Sequence, residues 1–239
     1  MTDTRSEHAG YAPYRDGEHP PYFAEQYRST HLRAPRRPFF APPRTLSELT
    51  GPVFSQNDVQ PDESDLAHLP DGRQATGQLM ILAGRVLDEA GRPIPDTLIE
   101  IWQTNAAGKY NHPDDRFDAP LDPGFSGCGR CVTDAEGRYR FVTIKPGAYP
   151  VQGSGNWWRP PHIHFSLFGP TYLTRLVSQL YFPGEPLNAI DPILASLADP
   201  AARDRLVARY DPAAGIDERA LGYRFDITLR GRHATPMVD

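Results

Sequence analysis

The sequence predicts a mainly β fold: a single β-sandwich that carries an extended N-terminal arm and short helices near residues 190–210. Three observations point to it, namely short segments of alternating apolar and polar residues, closely spaced turn signals, and the lack of long helical segments between them. Proline contributes 26 of the 239 residues, about twice its usual share of ~5%. With 39% hydrophobic and 23% charged residues, the composition is that of a folded chain and not of a disordered one.

The first segment, residues 1–61, has no sustained periodicity but is rich in aromatic side chains, namely Tyr11, Tyr14, Tyr22, Phe23, Tyr27, Phe39, Phe40 and Phe54. Because disordered segments are poor in aromatics, we expect an arm that lies on the rest of the protein or on a partner subunit. One short helix is predicted at residues 45–49, with Thr45 as its cap and Glu48 three residues later. Residues 62–239 form the predicted sandwich domain.

The middle of the chain contains two pairs of strand-like segments, and each pair is joined by a turn. The segments are residues 79–87 and 97–103, followed by residues 130–133 and 138–144. The first pair is joined by residues 88–93 and the second by the DAEG turn at residues 134–137. Two β-hairpins are the simplest prediction.

The last third of the chain mixes strand and helix signals. Residues 173–182 are predicted to form a strand. Asp199 and Pro200 mark the start of a helix, because aspartate caps helices and proline suits the first helical position. Residues 223–229 alternate between apolar and polar side chains again, so a closing strand is predicted there.

Charge and cysteine content exclude several classes of protein. The formal net charge is −5 and no Lys/Arg stripe is present, so a nucleic-acid partner is not expected. The sequence shows neither an apolar leader nor an apolar run near ~18 residues, so we expect no membrane span and a cytoplasmic location.

Cys128 and Cys131 have CxxC spacing, but no second CxxC follows. Ordinary reduced thiols beside a turn are predicted.

The run WWRPPHIHF at residues 157–165 places two histidines two residues apart. On a strand, His162 and His164 point to the same face, so both rings can reach one small ion. Surface histidines or hydrogen-bonded core histidines are the plainer interpretation of an isolated HxH motif. Here Pro160 and Pro161 make the entry rigid and Arg159 lies directly upstream, which favours a functional site.

Two imidazoles need further ligands to hold a metal, and the residues leave two possibilities open. A carboxylate from Asp134, Glu136 or Glu100 would complete the triad typical of Fe(II). Tyr110 and Tyr149 are the other option, since each follows a predicted strand. A phenol has a pKa near ~10, so only a strongly Lewis-acidic ion such as Fe(III) would keep it ionised as a ligand. For either tyrosine alone, a packed loop aromatic is the plainer interpretation.

Six segments, taken in order, resemble the iron-bearing subunit of the intradiol ring-cleaving dioxygenases that act on protocatechuate. They are IEIWQTNAAGKY, APLDPGFSGCGRCVTD, GRYRFVTIKPGAYP, WWRPPHIHFSLFGP, SQLYF and YRFDITLRGR. The resemblance extends from about Tyr27 to the C-terminus. It implies that residues 62–239 are a catalytic domain that cleaves protocatechuate with O₂ to 3-carboxy-cis,cis-muconate, a step of the β-ketoadipate pathway.

The resemblance also implies a cofactor and a partner. The family's metal motif matches this sequence at Tyr110, Tyr149, His162 and His164. One non-haem Fe(III) per chain is therefore expected. The family pairs this subunit with a homologous, iron-free α subunit in a hetero-oligomer of αβ units, so the arm is expected to contact that partner.

Further roles follow from the same resemblance. It implies catalytic roles for Arg159, Tyr149 and Gln179, with Tyr149 taking a substrate proton and Arg159 stabilising negative charge on the ring. The implied substrate-binding residues are Tyr27, Arg159, Gln179, Ile193 and Val151. Tyr27 matches the residue that meets the ring carboxylate. Val151 stands where the family usually has tryptophan.

Three alternatives remain open from the sequence. An intradiol dioxygenase for another substituted catechol or hydroxyquinol would share the ligands, although those relatives carry a helical N-terminal domain that the proline-rich arm does not resemble. A transthyretin-like β-sandwich binding module would share the TDAEGRYRF and KPGAY segments but would not need RPPHIH. An Fe(II) or zinc hydrolase would use the two histidines together with a carboxylate.

Overall fold

The computed structural model describes residues 59–168 and 175–238, together with the isolated Gln26. In chain order the described strands are β1 (Leu79–Leu87), β2 (Leu98–Trp102), β3 (Cys128–Val132), β4 (Arg138–Ile144), β5 (Tyr149–Pro150), β6 (Trp158–Arg159), β7 (His162–Phe168), β8 (Arg175–Tyr181), β9 (Arg209–Tyr210), β10 (Leu221–Arg224) and β11 (Ile227–Thr228). They form two larger sheets and one two-stranded ribbon. The mainly β fold predicted from the alternating segments is confirmed.

The first sheet is built around the long strand β1, which has neighbours on both edges. β4 pairs with it antiparallel along one edge, from Leu79 opposite Ile144 to Arg85 opposite Arg138. On the other edge, β10 and then β11 pair with it in parallel, and β9 pairs antiparallel with β10. The last two described strands, β10 and β11, therefore lie beside the first one, β1.

The second sheet has the order β3-β2-β7-β8, and every pairing in it is antiparallel. Its register places Trp102 opposite His164 and His164 opposite Gln179. Directly opposed residues of neighbouring strands share a face of the sheet. Trp102, His164 and Gln179 therefore form a row on one face of this sheet.

The hydrophobic core lies between the two larger sheets. Phe225, which follows β10, contacts Phe165 of β7 with 5.5 Å between ring centroids. Ile163 and Leu167 of β7 are also buried in this core. Because successive residues of a strand point to opposite faces, the histidines between them project from the outer face of the sheet. Burial of each such apolar side chain contributes about 1.5–3 kcal/mol, so the orientation of β7 is strongly fixed.

Both predicted β-hairpins are wrong, because each turn carries the chain from one sheet to the other. β1 and β4 belong to the first sheet, whereas β2 and β3 belong to the second. The turns themselves form as predicted, since Gly91 N donates to Asp88 O and Gly137 N donates to Asp134 O. Local sequence specifies the turn, but the partner of a strand depends on which apolar face covers which.

The predicted closing strand at residues 223–229 is divided in two at Phe225 and Asp226. Phe225 N donates to Ala83 O, and the Asp226 carboxylate accepts from Arg85 N at 2.9 Å. A Cβ at Gly84 would lie only 1.8 Å from the Phe225 carbonyl oxygen, so only glycine allows this approach. The predicted alternation of buried and exposed side chains is nevertheless confirmed.

The short helices predicted near residues 190–210 are confirmed as α1 (Pro192–Ala195) and α2 (Pro200–Asp204). Asp199 caps α2 through a hydrogen bond from Ala201 N at 2.9 Å. Short 3-10 helices at Pro61–Ser64, Pro186–Ala189 and Pro212–Ala214 complete the helices that can be described. Within the same part of the chain, no helix has the length and apolar character needed to cross a membrane.

The predicted arm and its helix at residues 45–49 lie outside the described residues, so the division into residues 1–61 and 62–239 stays a prediction. Cys128 and Cys131 lie on β3 and not beside a turn, and they form no disulfide with each other. Three residues apart on a strand, they point to opposite faces. Burial raises the pKa of Cys131 to about 12. The CxxC spacing therefore does not bring the two thiols together.

Candidate metal and substrate site

The two histidines of β7 stand side by side on the outer face of the second sheet. Their ring centroids are 4.8 Å apart. The Pro160 carbonyl oxygen lies 2.6 Å from His162 Nδ1. Burial, followed by the Arg159 cation and His164, holds the pKa of His162 well below its usual range, so the ring is neutral. A neutral ring that donates from Nδ1 to Pro160 keeps the lone pair of Nε2 for another partner.

Three possible ligand atoms lie close together here, namely one ring nitrogen of each histidine and the hydroxyl oxygen of Tyr149. His162 Nε2 lies 3.2 Å from His164 Nε2 and 3.5 Å from Tyr149 Oη. Ligands at about 2.0–2.2 Å from a metal ion stand roughly 2.9–3.5 Å from one another at ordinary coordination angles. The observed separations match that spacing.

Tyr110 completes the group from the other side. Its ring meets the Tyr149 ring edge to face, with 5.3 Å between centroids, and lies 6.4 Å from the His164 ring. The structure therefore brings together all four side chains that the sequence motif singled out. Two neutral nitrogens and two phenols are a donor set that suits a hard, highly charged ion once the phenols ionise.

The carboxylate alternative gains no support from the structure. Among residues 59–168 and 175–238, no group of three His, Cys, Asp or Glu side chains could hold a metal ion. Glu100 lies 3.9 Å from the Arg175 guanidinium, and Asp134 accepts hydrogen bonds from its own turn. Neither carboxylate joins the histidine pair.

The two tyrosines lie on the tyrosine loops, defined as residues 103–110 and 145–149, which are held together by hydrogen bonds. Gly147 N donates to Asn105 O at 2.9 Å, and Thr104 Oγ1 donates to Gly147 O at 2.9 Å. A Cβ at Gly108 would lie 2.1 Å from the Ala148 carbonyl oxygen. The loops therefore approach more closely than any side chain at Gly108 would allow.

The end of the first tyrosine loop is fixed by a largely buried ion pair, in which Lys109 Nζ lies 3.4 Å from Asp115 Oδ1. Lys109 Nζ donates to the carbonyl oxygens of Asp115 and Phe117 at 2.7 and 2.6 Å. The Asp115 carboxylate in turn accepts from Tyr110 N at 2.8 Å. Because both charges also satisfy backbone groups, the position of Tyr110 is defined by more than its ring packing.

Arg159 lies beside this donor set and is completely buried. The β5–β6 ribbon places it directly opposite Tyr149. Its guanidinium donates to the Asp191 carboxylate through Nε at 3.1 Å and to Gln179 Oε1 through Nη2. Tyr181 Oη lies 3.2 Å from the same Nη2 atom, and burial raises the pKa of Tyr181 far above its usual value. Tyr181 is therefore a neutral phenol within a buried polar network.

Three other residues were predicted to line the substrate pocket, namely Val151, Ile193 and Tyr27. Val151 directly follows β5 and is nearly buried, with its backbone N donating to Trp157 O. Ile193 is nearly buried on α1, two residues beyond Asp191. Tyr27 lies outside the described residues, so its place at the site stays a prediction.

Three residues of the site were not predicted. Asp191 and Tyr181 belong to the network around Arg159, and Trp102 stacks on His164 with 5.0 Å between centroids and 6° between planes. Alternation could have placed Trp102 and Tyr181 on the histidine-bearing face. Asp191 gave only the signal of a helix cap, because its partner Arg159 lies 32 residues away in sequence.

Comparison with known proteins assigns the chain to a family. A family described as Dioxygenase matches residues 49–231, and one described as Protocatechuate 3,4-dioxygenase beta subunit N terminal matches residues 11–41. The chain is 52% identical over 220 residues to the protocatechuate 3,4-dioxygenase beta chain of Burkholderia cepacia, which covers 92% of this chain and 93% of that one.

Two further similarities agree with this match. The chain is 32% identical to the protocatechuate 3,4-dioxygenase alpha chain of Pseudomonas putida, across 69% of this chain and 78% of that one. The dioxygenase domain of a dioxygenase and carbohydrate-binding protein fusion from Streptomyces sp. SirexAA-E has a TM-score of 0.51 and 28% identity, covering 75% of this chain and 94% of that one. The chain therefore belongs to the intradiol ring-cleaving dioxygenase family.

Proposed function

We propose that this chain is the iron-bearing subunit of a protocatechuate 3,4-dioxygenase. The reaction breaks the bond between the two hydroxyl-bearing ring carbons and adds one atom of O₂ to each, which gives 3-carboxy-cis,cis-muconate. The observation that carries the proposal is the clustering of two tyrosine rings and two histidine rings at the outer face of the second sheet, with His162 Nε2 close to both His164 Nε2 and Tyr149 Oη. Identity of 52% to a protocatechuate 3,4-dioxygenase beta chain supports the substrate.

We assign Tyr110, Tyr149, His162 and His164 as the ligands of one Fe(III) per chain. Two phenolates favour the ferric state, because hard anionic oxygens stabilise the higher charge. When bound, the iron supplies Lewis acidity that lowers the pKa of the catechol hydroxyls, so that the substrate is held as an electron-rich dianion. The donor separations of 3.2 and 3.5 Å and the neutral His162 ring support this assignment.

Tyr149 has the additional task of accepting a proton. Tyr149 belongs to the two-residue strand β5, which pairs only with β6 among the described strands. Its side chain is half-buried. As a phenolate, its Oη takes one of the two protons that the catechol loses on binding. The resemblance of the KPGAYP loop to the family motif supports this role.

Arg159 acts on the substrate ring. Its guanidinium stabilises the negative charge that builds on the ring carbon during oxygen attack, and it does so from a buried position where such interactions are strong. Gln179 accepts a hydrogen bond from Arg159 and so helps to orient it. The buried positions of Arg159 and Gln179 next to the two histidines support both roles.

The substrate pocket and the partner surface extend beyond the metal ligands. Ile193 and Val151 form apolar walls, and the hydroxyl of Tyr27 binds the ring carboxylate. Residues 1–61 form the arm that contacts a homologous, iron-free α subunit, while residues 62–239 form the catalytic domain. The chain's similarity to both beta and alpha chains of protocatechuate 3,4-dioxygenases supports such a pairing of homologues.

Oxygen consumption by the purified protein tests the proposal. The chain should be produced alone and together with an α-type partner, and its iron content and ultraviolet-visible spectrum recorded. With the partner, we expect one iron per chain and much faster O₂ uptake with protocatechuate than with catechol or hydroxyquinol. Preference for catechol would contradict the substrate assignment, and a colourless, iron-free protein that is inactive after iron addition would contradict the function.

A further inference from the structure

The Asp191 carboxylate is completely buried and is surrounded by hydrogen-bond donors. The donors are Arg159 Nε at 3.1 Å, Leu194 N and Tyr181 Oη at 3.3 Å, and Trp157 Nε1 at 3.4 Å. These groups come from β6 and the segment before it, from β8 and from α1. The carboxylate is therefore tied to three separate parts of the site.

The geometry of the ion pair restricts the guanidinium. Asp191 Oδ1 faces Arg159 Nε at 3.1 Å and Asp191 Oδ2 faces Nη2 at 3.4 Å. Two parallel contacts fix the plane of a guanidinium as well as its position. Asp191 is itself fixed as the cap of α1, through its contact with Leu194 N. The backbone of α1 therefore fixes the orientation of Arg159 through Asp191.

The ion pair also balances charge at a position where neither side chain is accessible to solvent. The side chains of Arg159 and Asp191 are 1% and 0% exposed, and a buried cation without a counterion is strongly disfavoured. Paired with Asp191, the guanidinium keeps its directed donors while the pair carries no net charge. Without the carboxylate, the same cation would attract any anion that enters the pocket.

We propose that Asp191 is a positioning residue for Arg159. It holds the guanidinium in the plane that faces the substrate ring, and it cancels the charge that would otherwise bind anions in the resting site. Arg159 therefore stabilises mainly the negative charge that develops during the reaction and not an anion bound before it. The inference rests on the function proposed above, in which Arg159 acts on the ring.

The first test replaces Asp191 with asparagine, which retains the size of the side chain and its ability to cap α1. In the iron-loaded complex with the α-type partner, kcat for protocatechuate should fall roughly tenfold or more, while KM stays constant or decreases. The Kd of 4-hydroxybenzoate, measured by calorimetric titration without turnover, should decrease several-fold. The Kd of the neutral analogue 4-hydroxybenzamide should not change.

Asp199→Asn is the matched control, because the Asp199 side chain also caps a short helix, through Ala201 N, but is partly exposed and does not belong to the network around Arg159. It should leave kcat and both Kd values unchanged. Wild-type turnover of protocatechuate is measured in parallel, so a failure of the proposed function would show in the wild type. The comparison of the two analogues would still test the charge-balancing role of Asp191.

Two results with folded Asp191→Asn would overturn the proposal. One is a kcat and an anion Kd equal to those of the wild type, and the other is an equal change for the charged and neutral analogues, which a general disturbance of the pocket would produce. If Asp191→Asn does not fold, Asp191→Glu keeps the charge but displaces the carboxylate. It should lower kcat without changing the Kd of 4-hydroxybenzoate, and wild-type kcat in that variant would also refute the positioning role.

Discussion

Replacement of Gly108 with alanine should separate the two tyrosine loops. Gly108 has a φ of +81°, a conformation that costs an L-residue roughly 1–2 kcal/mol. Its Cβ would lie 2.1 Å from the carbonyl oxygen of Ala148, the residue directly before Tyr149. Ordinary van der Waals contact requires at least 3.4 Å, so the loops would have to move apart by about 1.3 Å.

This displacement would act on both proposed ligands at once. A misplacement of about 1 Å in an active site can cost on the order of 100-fold in rate, and we expect a decrease of that order in kcat/KM for protocatechuate. The backbone strain and the overpacking together should lower the free energy of unfolding by about 2–5 kcal/mol. Oxygen uptake and urea denaturation measure the two effects.

Gly91 provides the matched control. Its φ of +75° resembles that of Gly108, but an added Cβ would meet no atom within 4 Å. Gly91→Ala should therefore lose only about 1–2 kcal/mol of stability and keep its activity. If Gly108→Ala loses no more stability and no more activity than Gly91→Ala, the contact between the loops does not position the tyrosines, and the reasoning is refuted.

Three other expectations follow from the site and the core. Tyr149→Phe should bind less than one iron per chain and lose part of its visible tyrosinate-to-iron absorption, whereas full iron with an unchanged spectrum would contradict the ligand assignment. Tyr27→Phe should raise KM for protocatechuate roughly tenfold to a hundredfold and leave catechol unaffected; an equal effect on both substrates would make Tyr27 structural. Iodoacetamide at pH 8 should modify the exposed Cys128 but not Cys131, because burial raises the pKa of Cys131 to about 12 and its thiolate forms only near that pH. Mass spectrometry showing both thiols modified at pH 8 would contradict this.

The strands could be predicted from the sequence because alternation reports which side chains of a segment are buried. Residues 79–87 became β1 with the predicted bounds. The pairing could not be predicted in the same way, since β1 pairs with β4 and not with β2. Each inter-strand turn is compatible with a hairpin or with a crossing between sheets, and only the packing of the two apolar faces decides between them.

The site was predictable where a single strand carries it. His162 and His164 share a face by the period of any strand, so their proximity needed no tertiary information. The approach of Tyr110 and Tyr149 depends instead on backbone contacts between loops that lie about forty residues apart, such as Gly147 N to Asn105 O. Their positions after predicted strands made both tyrosines candidates, but spacing alone could not reveal that contact, and only the family resemblance favoured the tyrosines over the carboxylates.

Asp191 shows why a complete local explanation can hide a second role. The Asp-Pro sequence at residues 191–192 is accounted for by the cap of α1, just as Asp199 and Pro200 are accounted for by α2. The two aspartates differ in burial, since Asp191 is fully enclosed and Asp199 is partly exposed. Capping alone does not require burial, because a helix cap functions equally well at the surface. The burial of Asp191 is explained by its second partner, Arg159, whose charge needs a counterion where water is excluded.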